Sequence, residues 1–452
     1  MSPEWLDGLT WWHVYPLGFS GAEPHESLCP GTVHRLRHLL NWLDYAQELG
    51  CHGLQLGPIF ASQTHGYDTT NHLRIDHRLG DQSDFDALVQ GCRARGLRLM
   101  LDGVFNHVGD RHPLYRAAVA GGPGATGGGE QAARWFHLHW QDGQPEPDTF
   151  EGHGGLVTLN HDEPAVAEYV TQVMDHWLER GADGWRLDAA YAVPPQFWRR
   201  VVAPVRAKHP AAWFVGEVIH GEPADYLAAS DLDGVTAYGL WQPLWRSLNE
   251  ANFFDLAWQV QRLGGYAGEH PPLTFVGNHD VTRLASNLTD QRHFGHAIAA
   301  LFTLPGVPSV YYGDEQAFRG IKEERFGGDD AIRPMFPERP DRLAPWGWPI
   351  FQLHRRLIEM RSRHPWLTRS RASVEHLTNT AIAVRATPAS GTGRRITALL
   401  NIADEAHRFP LELPDPTIEV QSDDAAHEHD LLVVPGHTWR VLSHGAPTAS
   451  AG

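Results

Sequence analysis

Short apolar runs rich in aromatic and β-branched residues alternate along most of this 452-residue chain with longer amphipathic stretches. This alternation is typical of parallel strands joined by crossover helices. The helical patterns include Val33–Leu49, Phe85–Arg95 and Ala165–Arg180. The predicted strands are Leu9–Tyr15, Gly53–Gly57, Leu97–Asp102, Gly184–Asp188, Trp213–Glu217, Gly234–Tyr238, Leu273–Asn278 and Pro308–Tyr312.

Eight strand–helix units over about 360 residues indicate an α/β protein with a closed (β/α)8 TIM barrel, of the larger kind that carries insertions. The competing architecture is a doubly wound sheet, which normally has a glycine-rich phosphate loop after its first strand. No such loop follows Leu9–Tyr15. We therefore expect a catalytic barrel formed by residues 1–107 and 160–368.

Two other parts of the chain differ from the barrel in their pattern. Residues 108–159, after the third strand, are rich in Gly and Pro and too long for a simple turn, so we predict a small inserted domain there. Residues 369–445, after the helix Ile350–Arg363, show a pattern typical of an antiparallel β-sandwich. The alternating segments there are Ala381–Ala386, Arg395–Leu400, Leu431–Val433 and Trp439–Leu442. The small, polar residues 446–452 are predicted to be a disordered tail.

Charge and cysteine content argue against several classes of partner and site. The chain has 37 Lys and Arg against 54 Asp and Glu, a formal net charge of -17. This charge repels polyanions, so we expect neither nucleic acid nor an anionic membrane as a partner. Cys29, Cys51 and Cys92 show no CxxC spacing, so neither a disulfide framework nor a structural zinc site is predicted.

The chain also shows no pattern of secretion or membrane insertion. Its first residues lack a basic segment followed by an apolar one, and no apolar run approaches the roughly 20 residues that span a bilayer. We therefore expect a cytoplasmic protein in a reducing compartment. The oligomeric state is left open.

Polar residues gather at the predicted carboxyl ends of several strands, which is the end where (β/α)8 barrels carry their active sites. Because these ends meet at one rim, we expect the side chains to converge there. The residues are Asp102, Asn106 and His107 after the third strand, Arg186 and Asp188 at the fourth, Glu217 at the fifth, and His279 and Asp280 at the seventh.

Two chemistries use such a cluster: activation of water by a bound metal ion, and glycoside hydrolysis by a pair of carboxyl groups. Arg186 and Asp188 are two residues apart on one strand, so their side chains point the same way. A fixed cation opposes metal binding and favours an ionised Asp188, which suits a nucleophile. A metal-dependent barrel hydrolase is therefore a distant alternative, and no metal site is predicted.

The other carboxylates fit complementary tasks. Glu217 ends an apolar strand and lies near further carboxylates, surroundings that favour the protonated carboxyl of a general acid. Asp280 is then a third carboxylate, suited to binding sugar hydroxyls and to stabilising positive charge in the transition state.

Four segments resemble the four ordered sequence regions of the α-amylase family of glycoside hydrolases. Two further segments match the family after the second strand and at the eighth. Six matches in the family's order are highly specific, and the similarity extends over residues 8–365. The segments are Asp102–His107 (DGVFNH), Gly184–Ala189 (GWRLDA), Val215–Val218 (VGEV), Phe275–Asp280 (FVGNHD), His65–Thr70 (HGYDTT) and Gly306–Glu315 (GVPSVYYGDE).

This resemblance implies a retaining mechanism with Asp188 as nucleophile, Glu217 as acid/base and Asp280 as transition-state stabiliser. It also implies that Tyr67 stacks on the sugar before the scissile bond. The remaining implied roles are substrate binding for Asp68, His107, Arg186 and His279, and support of the site for Asp102 and Asn106.

Three further residues, Arg333, Trp135 and Trp140, lie outside the six matched segments. Arg333 lies in the region where family members that recognise a non-reducing sugar end carry an arginine, but its register is ambiguous and no role is assigned to it. Trp135 and Trp140 in the insertion are candidate platforms for stacking on a sugar.

The chain most resembles the oligosaccharide-acting branch of neopullulanases, cyclomaltodextrinases and α-glucosidases. We therefore predict a retaining hydrolase of α-glucosidic bonds in short α-glucans or related oligosaccharides, with a small carbohydrate as its binding partner. A transglycosylase or isomerase that uses the same residues is the alternative, and the linkage and the endo or exo mode stay open. No cofactor is predicted to be required; Ca²⁺ remains an option, although the family's usual calcium site is incomplete in Asp188–Ala192 (DAAYA).

Overall fold

A parallel sheet forms the centre of the chain. The computed structural model describes residues 2–124, 126–325, 327–427 and 430–445. Within these ranges the sheet has eight strands, each beginning close to its predicted position. They are β1 (Trp11–Val14), β2 (Gly53–Leu56), β3 (Arg98–Gly103), β4 (Gly184–Leu187), β5 (Trp213–Gly216), β6 (Gly234–Val235), β7 (Leu273–Thr274) and β8 (Val307–Tyr311).

The strand order closes the sheet into a barrel. Neighbouring strands follow the order β6-β5-β4-β3-β2-β1-β8-β7, and every pairing is parallel. A parallel bridge between Thr236 and Leu273 joins the two ends, and the N–H of Ala237 donates to the Leu273 carbonyl at 2.9 Å. The predicted (β/α)8 barrel is confirmed.

Tryptophans and aliphatic side chains fill the amino-terminal part of the barrel. Trp11 on β1 and Trp213 on β5 stack across the interior, with ring centroids 6.2 Å apart. Met100 and Val307 pack in the same cluster, and Leu6 covers it from below. Because these side chains fill the amino-terminal part of the interior, we expect a ligand site in this barrel at the carboxyl ends of the strands.

Helices surround the barrel and bury an apolar face against it. Asp81 begins one of them with a capping box, because its side chain accepts the backbone N–H of Ser83 and Asp84 bonds back to the Asp81 N–H. The α-helices are Pro16–Phe19, Leu36–Leu40, Leu43–Leu49, Gln82–Ala94, Pro113–Gly121, Gly128–Ala133, Pro164–Glu179, Pro195–Lys208, Pro223–Ser230, Tyr238–Asn249, Phe254–Gly264, Leu284–Asn287, Phe294–Thr303 and Trp348–Arg363.

Several element boundaries differ from the sequence prediction; the strand predicted at Gly234–Tyr238, for example, ends at Val235. The single helix predicted at Val33–Leu49 is divided near Trp42, whose N–H donates to the Leu39 carbonyl in a tighter turn. The predicted strand Leu273–Asn278 leaves the sheet after Thr274. Its last residues instead form a loop that carries Asn278 into side-chain hydrogen bonds at the rim.

Three short antiparallel strand pairs lie in the loops that follow β2 and β3. One pair is in the loop between β2 and β3, and the other two are formed by residues that follow β3, in and beside the insertion. The pairs are Phe60–Ser62 with Thr69–Ile75, His107–Gly109 with Leu156–Thr158, and Leu138–Gln141 with Gln144–Pro147.

The C-terminal part is antiparallel, as predicted. The strands of its larger sheet are β9 (Arg371–Leu377), β10 (Ala381–Thr387), β11 (Arg395–Asn401), β12 (Thr417–Gln421) and β13 (Thr438–His444). In the described residues they lie in the order β9-β10-β11-β13-β12, and a smaller pair joins His407–Arg408 to Val433–Val434. The sequence prediction missed β9 and β12, because they are largely polar and only partly buried.

The fold class is thus confirmed as a barrel with an insertion after β3 and an antiparallel C-terminal region, while the domain boundaries given above stay predictions. In the part of the chain described here, no helix has the length and apolar character needed to cross a bilayer. The tail predicted at residues 446–452 lies outside the described residues.

Candidate active site

A cavity of about 740 Å³ opens at the carboxyl ends of the barrel strands. The predicted residues that line it are Tyr67, Asp68, His107, Asp188, Glu217 and Asp280. Below them lie the other four predicted residues, which are almost fully buried: Asp102, Asn106, Arg186 and His279. The fold therefore brings all ten together at one end of the barrel.

Arg186 is the centre of this cluster. One terminal nitrogen, Nη1, donates to Asp102 Oδ1 at 2.8 Å and to Asp188 Oδ1 at 2.8 Å. The other, Nη2, lies 2.5 Å from Glu217 Oε1. The strand register explains the first contact, because Arg186 on β4 lies directly opposite Asp102 on β3.

The shared guanidinium leaves the carboxyl cluster short of positive charge. Burial raises the pKa of Asp188 well above its usual range; Arg186 lowers this pKa, but burial and the neighbouring carboxylates outweigh its effect. Burial also raises the pKa of Asp102. Among the described residues three carboxyls contact this one cation, so each of them shares its positive charge with two others.

The residue after Asp188 helps to hold Glu217. Ala189 has a left-handed backbone with φ of 45°, which is unfavourable for a residue with a Cβ. This conformation aims its N–H at Glu217 Oε2, 2.9 Å away. Strained backbone of this kind is common at active sites.

Tyr238 and Asn278 extend the hydrogen bonding of Glu217. The Tyr238 hydroxyl donates to Glu217 Oε1 at 3.2 Å and accepts a hydrogen bond from Asn278 Nδ2 at 2.9 Å. Asn278 Oδ1 in turn accepts the backbone N–H of Asp280 at 2.9 Å. The sequence reasoning missed Tyr238 because it considered charged strand-end residues, although Tyr238 ends a predicted strand.

Asp280 is paired with two basic side chains. Its Oδ2 lies 2.8 Å from His279 Nε2, and its Oδ1 accepts from Arg333 Nη2 at 2.9 Å. Burial raises the pKa of Asp280, but His279 and Arg333 outweigh burial and hold the pKa far below its usual range. Asp280 is therefore ionised at neutral pH. The structure thus places Arg333, whose alignment with the family was ambiguous from the sequence, beside Asp280. Arg333 also contacts Asp329.

Tyr67 and Asp68 form the wall contributed by the loop after β2. The Tyr67 ring stacks on His279 at a centroid distance of 5.4 Å, and its hydroxyl donates to Asp102 Oδ2 at 3.0 Å. Asp68 accepts hydrogen bonds from the backbone N–H and the hydroxyl of Thr64. The predicted stacking of Tyr67 on a sugar stays a prediction.

His107 connects the barrel rim to the insertion. Its Nε2 donates to the Tyr67 carbonyl at 3.1 Å and its Nδ1 accepts from Asn106 Nδ2 at 3.1 Å. Burial lowers the pKa of His107 to about 3, so the ring is neutral. The ring also stacks on Phe150, with centroids 4.7 Å apart.

The aromatic residue that the insertion contributes to the cavity is Phe150, not one of the two tryptophans suggested by the sequence. Neither Trp135 nor Trp140 is among the described residues that line the cavity, whereas Phe150 is. Trp135 instead packs against Tyr169 on a barrel helix, at 5.3 Å between ring centroids. Composition and position in the chain do not show which aromatic side chain of an irregular segment turns inward.

Comparison with known proteins identifies relatives of the whole arrangement. A family model described as alpha amylase, catalytic domain, matches residues 13–342. A maltogenic alpha-amylase of Bacillus acidopullulyticus is 28% identical over 397 residues, which cover 81% of this chain and 64% of that protein. A cyclomaltodextrinase of Bacillus sp is 30% identical over 345 residues, 70% of this chain and 61% of that protein.

Solved structures share the architecture. The cyclic alpha-maltosyl-(1→6)-maltose hydrolase of Arthrobacter globiformis, in complex with cyclic alpha-maltosyl-(1→6)-maltose, superposes with a TM-score of 0.79 and 26% identity. This match covers 98% of this chain and 99% of that one. The chain spans less than two thirds of the length of the two curated relatives. Because the family model spans most of the barrel and its insertion, the chain belongs to the α-amylase family.

Proposed function

We propose that this protein is a retaining glycoside hydrolase that cleaves α-glucosidic bonds in short α-glucans or related oligosaccharides. The observation that carries the proposal is Arg186, which binds Asp188 with one terminal nitrogen and Glu217 with the other. Retaining enzymes place their two carboxyl groups about 5–5.5 Å apart. Two carboxyls anchored on adjacent nitrogens of one guanidinium are consistent with such a short separation.

In the proposed reaction Glu217 protonates the oxygen of the leaving sugar while Asp188 attacks the anomeric carbon. A covalent glycosyl-enzyme forms, and the bond to the leaving oxygen breaks. Glu217, now ionised, removes a proton from water, which attacks the anomeric carbon and releases Asp188. Asp280, kept ionised by His279 and Arg333, opposes the positive charge that develops on the sugar ring.

The proposed substrate class is supported by the relatives, and the proposed cellular compartment is supported by the cysteines. The names of the two curated relatives, a maltogenic alpha-amylase and a cyclomaltodextrinase, support an α-glucan substrate. The mechanism itself requires no cofactor. Cys29, Cys51 and Cys92 are free and buried, which supports a reducing, cytoplasmic setting.

The acid/base role of Glu217 is tested by Glu217→Gln with maltotriose as substrate. We expect turnover to fall by about 10²–10⁴-fold, because the leaving oxygen is no longer protonated. Glu222→Gln is the matched control, since Glu222 lies on the same loop, is exposed and pairs with Arg262. Full activity of Glu217→Gln on maltotriose would remove the acid/base assignment.

An activated substrate separates the two carboxyl roles. α-Maltosyl fluoride has a leaving group that needs no proton, so Glu217→Gln should form the glycosyl-enzyme from it readily. Asp188→Asn should be inactive with both substrates, since the nucleophile is lost. The products from maltotriose also show whether water or a sugar hydroxyl attacks the glycosyl-enzyme. Glucose and maltose as products support hydrolysis, and longer sugars as the main products contradict it.

A further inference from the structure

A cluster of potential metal ligands lies outside the residues that line the active-site cavity, where the helix Phe294–Thr303 meets the C-terminal sheet. Asp290 and His293 immediately precede this helix, and His437 immediately precedes β13. One ligand atom from each of the three residues lies within 4.8 Å of the other two. His293 is buried, with 6% of its surface exposed.

The two imidazoles face each other through ring nitrogens. His293 Nε2 and His437 Nδ1 are 3.0 Å apart. The second nitrogen of His437, Nε2, lies 2.8 Å from Asp404 Oδ1. Since a carboxylate only accepts, Nε2 carries the proton of a neutral His437, and Nδ1 presents its lone pair toward His293. A histidine whose other nitrogen donates to a carboxylate is the usual arrangement of a metal ligand.

The backbone holds His437 in this orientation. Its φ of 55° is in the left-handed region, which is uncommon for a residue with a Cβ. The N–H of His437 donates to the Ala403 carbonyl at 3.1 Å, and the side chain of Asn401 donates to the Val434 and Pro435 carbonyls just before it. These contacts fix the backbone from which the ring of His437 projects. Such strained positions cluster at ligand-binding sites.

Asp290 is oriented by its neighbour Arg292. Asp290 Oδ1 accepts the Arg292 N–H at 2.9 Å, and Oδ2 accepts the guanidinium at 2.6 Å. The guanidinium is a competing cation at this carboxylate, but 60% of the Arg292 side chain is exposed and it is free to turn toward solvent. The backbone hydrogen bond would remain and keep Asp290 in place.

We propose that Asp290, His293 and His437 bind a divalent transition metal ion, with Zn²⁺ as the best-fitting ion. Two imidazoles and one carboxylate suit zinc, with solvent as the fourth ligand, whereas Ca²⁺ and Mg²⁺ prefer oxygen ligands throughout. The ligands come from the loop before a barrel helix and from the turn before a C-terminal strand. The ion would therefore cross-link the barrel to the C-terminal sheet and stabilise their association.

The test uses the whole chain without a polyhistidine tag, stripped with EDTA and titrated with ZnCl₂ in a calorimeter. We expect one zinc ion per chain and a zinc-dependent rise in the midpoint of thermal unfolding, because binding to the folded state alone stabilises it. Cobalt should give the strong visible absorption of a tetrahedral site. A wild-type chain that shows neither stoichiometric zinc nor a shift in the midpoint overturns the proposal.

Two variants localise the site without threatening the fold. His437→Gly removes one ligand at a position whose positive φ suits glycine, and should abolish stoichiometric binding. Asp404→Asn changes a side chain that is 93% exposed, and should weaken zinc binding about 10–100-fold through His437 alone. Undiminished zinc binding by His437→Gly contradicts the proposal.

A second histidine pair provides the matched control. His376 Nε2 and His407 Nε2 are 2.8 Å apart in the C-terminal region, with no third ligand grouped with them among the described residues. His407→Ala should bind zinc as the wild type does. Loss of stoichiometric zinc in His407→Ala, with retention in His437→Gly, would place the ion at the other pair and overturn the assignment.

Discussion

Glu217 is held from both sides by groups that differ in charge. Arg186 and the Ala189 N–H approach it from the end of β4, and the Tyr238 hydroxyl approaches it from the residue that begins the helix after β6. In the proposed mechanism Glu217 is the proton donor and must keep its geometry through two proton transfers, so we expect these contacts to affect the rate. Tyr238 is the neutral contact and the easiest to remove without disturbing charge.

Tyr238→Phe removes the hydroxyl that links Glu217 to Asn278. We expect kcat for maltotriose to fall about 10–100-fold, the equivalent of one hydrogen bond to a charged group, while KM changes little. Steady-state kinetics measure both parameters. Tyr169→Phe is the control, because Tyr169 lies on the helix Pro164–Glu179 and its hydroxyl bonds His72 on the strand Thr69–Ile75, away from Glu217. A lower kcat in both variants would point to a general effect on the fold.

At the scale of elements, the insertion after β3 closes one side of the cavity through a few side-chain contacts. Phe150 stacks on His107, and the Tyr191 hydroxyl donates to Glu151 Oε1 at 2.7 Å. Glu151 itself has a φ of 50°, so the short helical turn that carries it is constrained. The position of this wall therefore depends on the loop after β4 as well as on the insertion.

Tyr191→Phe should loosen the wall of the cavity. This hydrogen bond is exposed to solvent, so we take about 0.5–1.5 kcal/mol for it although its acceptor is a carboxylate. We therefore expect KM for maltotriose to rise about 2–10-fold with a smaller change in kcat. Glu151→Gln is the matched control, since the amide oxygen still accepts from Tyr191. An unchanged KM in Tyr191→Phe would show that this contact does not shape the binding site.

Secondary structure was most predictable where one periodicity dominates. The barrel strands are short and almost wholly buried, and helices such as Pro164–Glu179 carry a continuous apolar face, so both types of pattern are clear. Strands β9 and β12 of the C-terminal sheet are half-exposed and mixed in polarity, and they were missed. Alternation is weak when neither face of a strand is fully covered.

At the scale of the whole molecule, the barrel and the C-terminal sheet meet across the helix Phe294–Thr303. His296 on this helix is buried and donates from Nε2 to the carbonyls of Asn401 and Thr438 on two strands of the sheet. Gly295 lies against Trp439, and a Cβ at Gly295 would come within 2.6 Å of the indole nitrogen. The junction is therefore tightly packed.

Gly295→Ala should weaken this junction. The added methyl group displaces Trp439, and overpacking of a core typically costs about 1–3 kcal/mol of unfolding free energy. Urea and thermal unfolding measure the change. Gly128→Ala is the control, because Gly128 is also helical but has open space around its Cβ position, so alanine there should stabilise by up to about 1 kcal/mol. Equal stabilisation by both substitutions would show that the junction accommodates the methyl group.

The sequence by itself determined the barrel and the residues of its rim. Asp188, Glu217 and Asp280 are found together because each follows a parallel strand, and such strands end at the same side of a closed sheet. The periodicity of the sequence predicts where each strand ends, and it therefore predicts that these three residues lie at the same rim. Only the tertiary structure decided that Arg333 pairs with Asp280 and that Phe150, not a tryptophan, faces His107. These contacts depend on the paths of irregular loops, which are set by long-range packing and leave no local period in the chain.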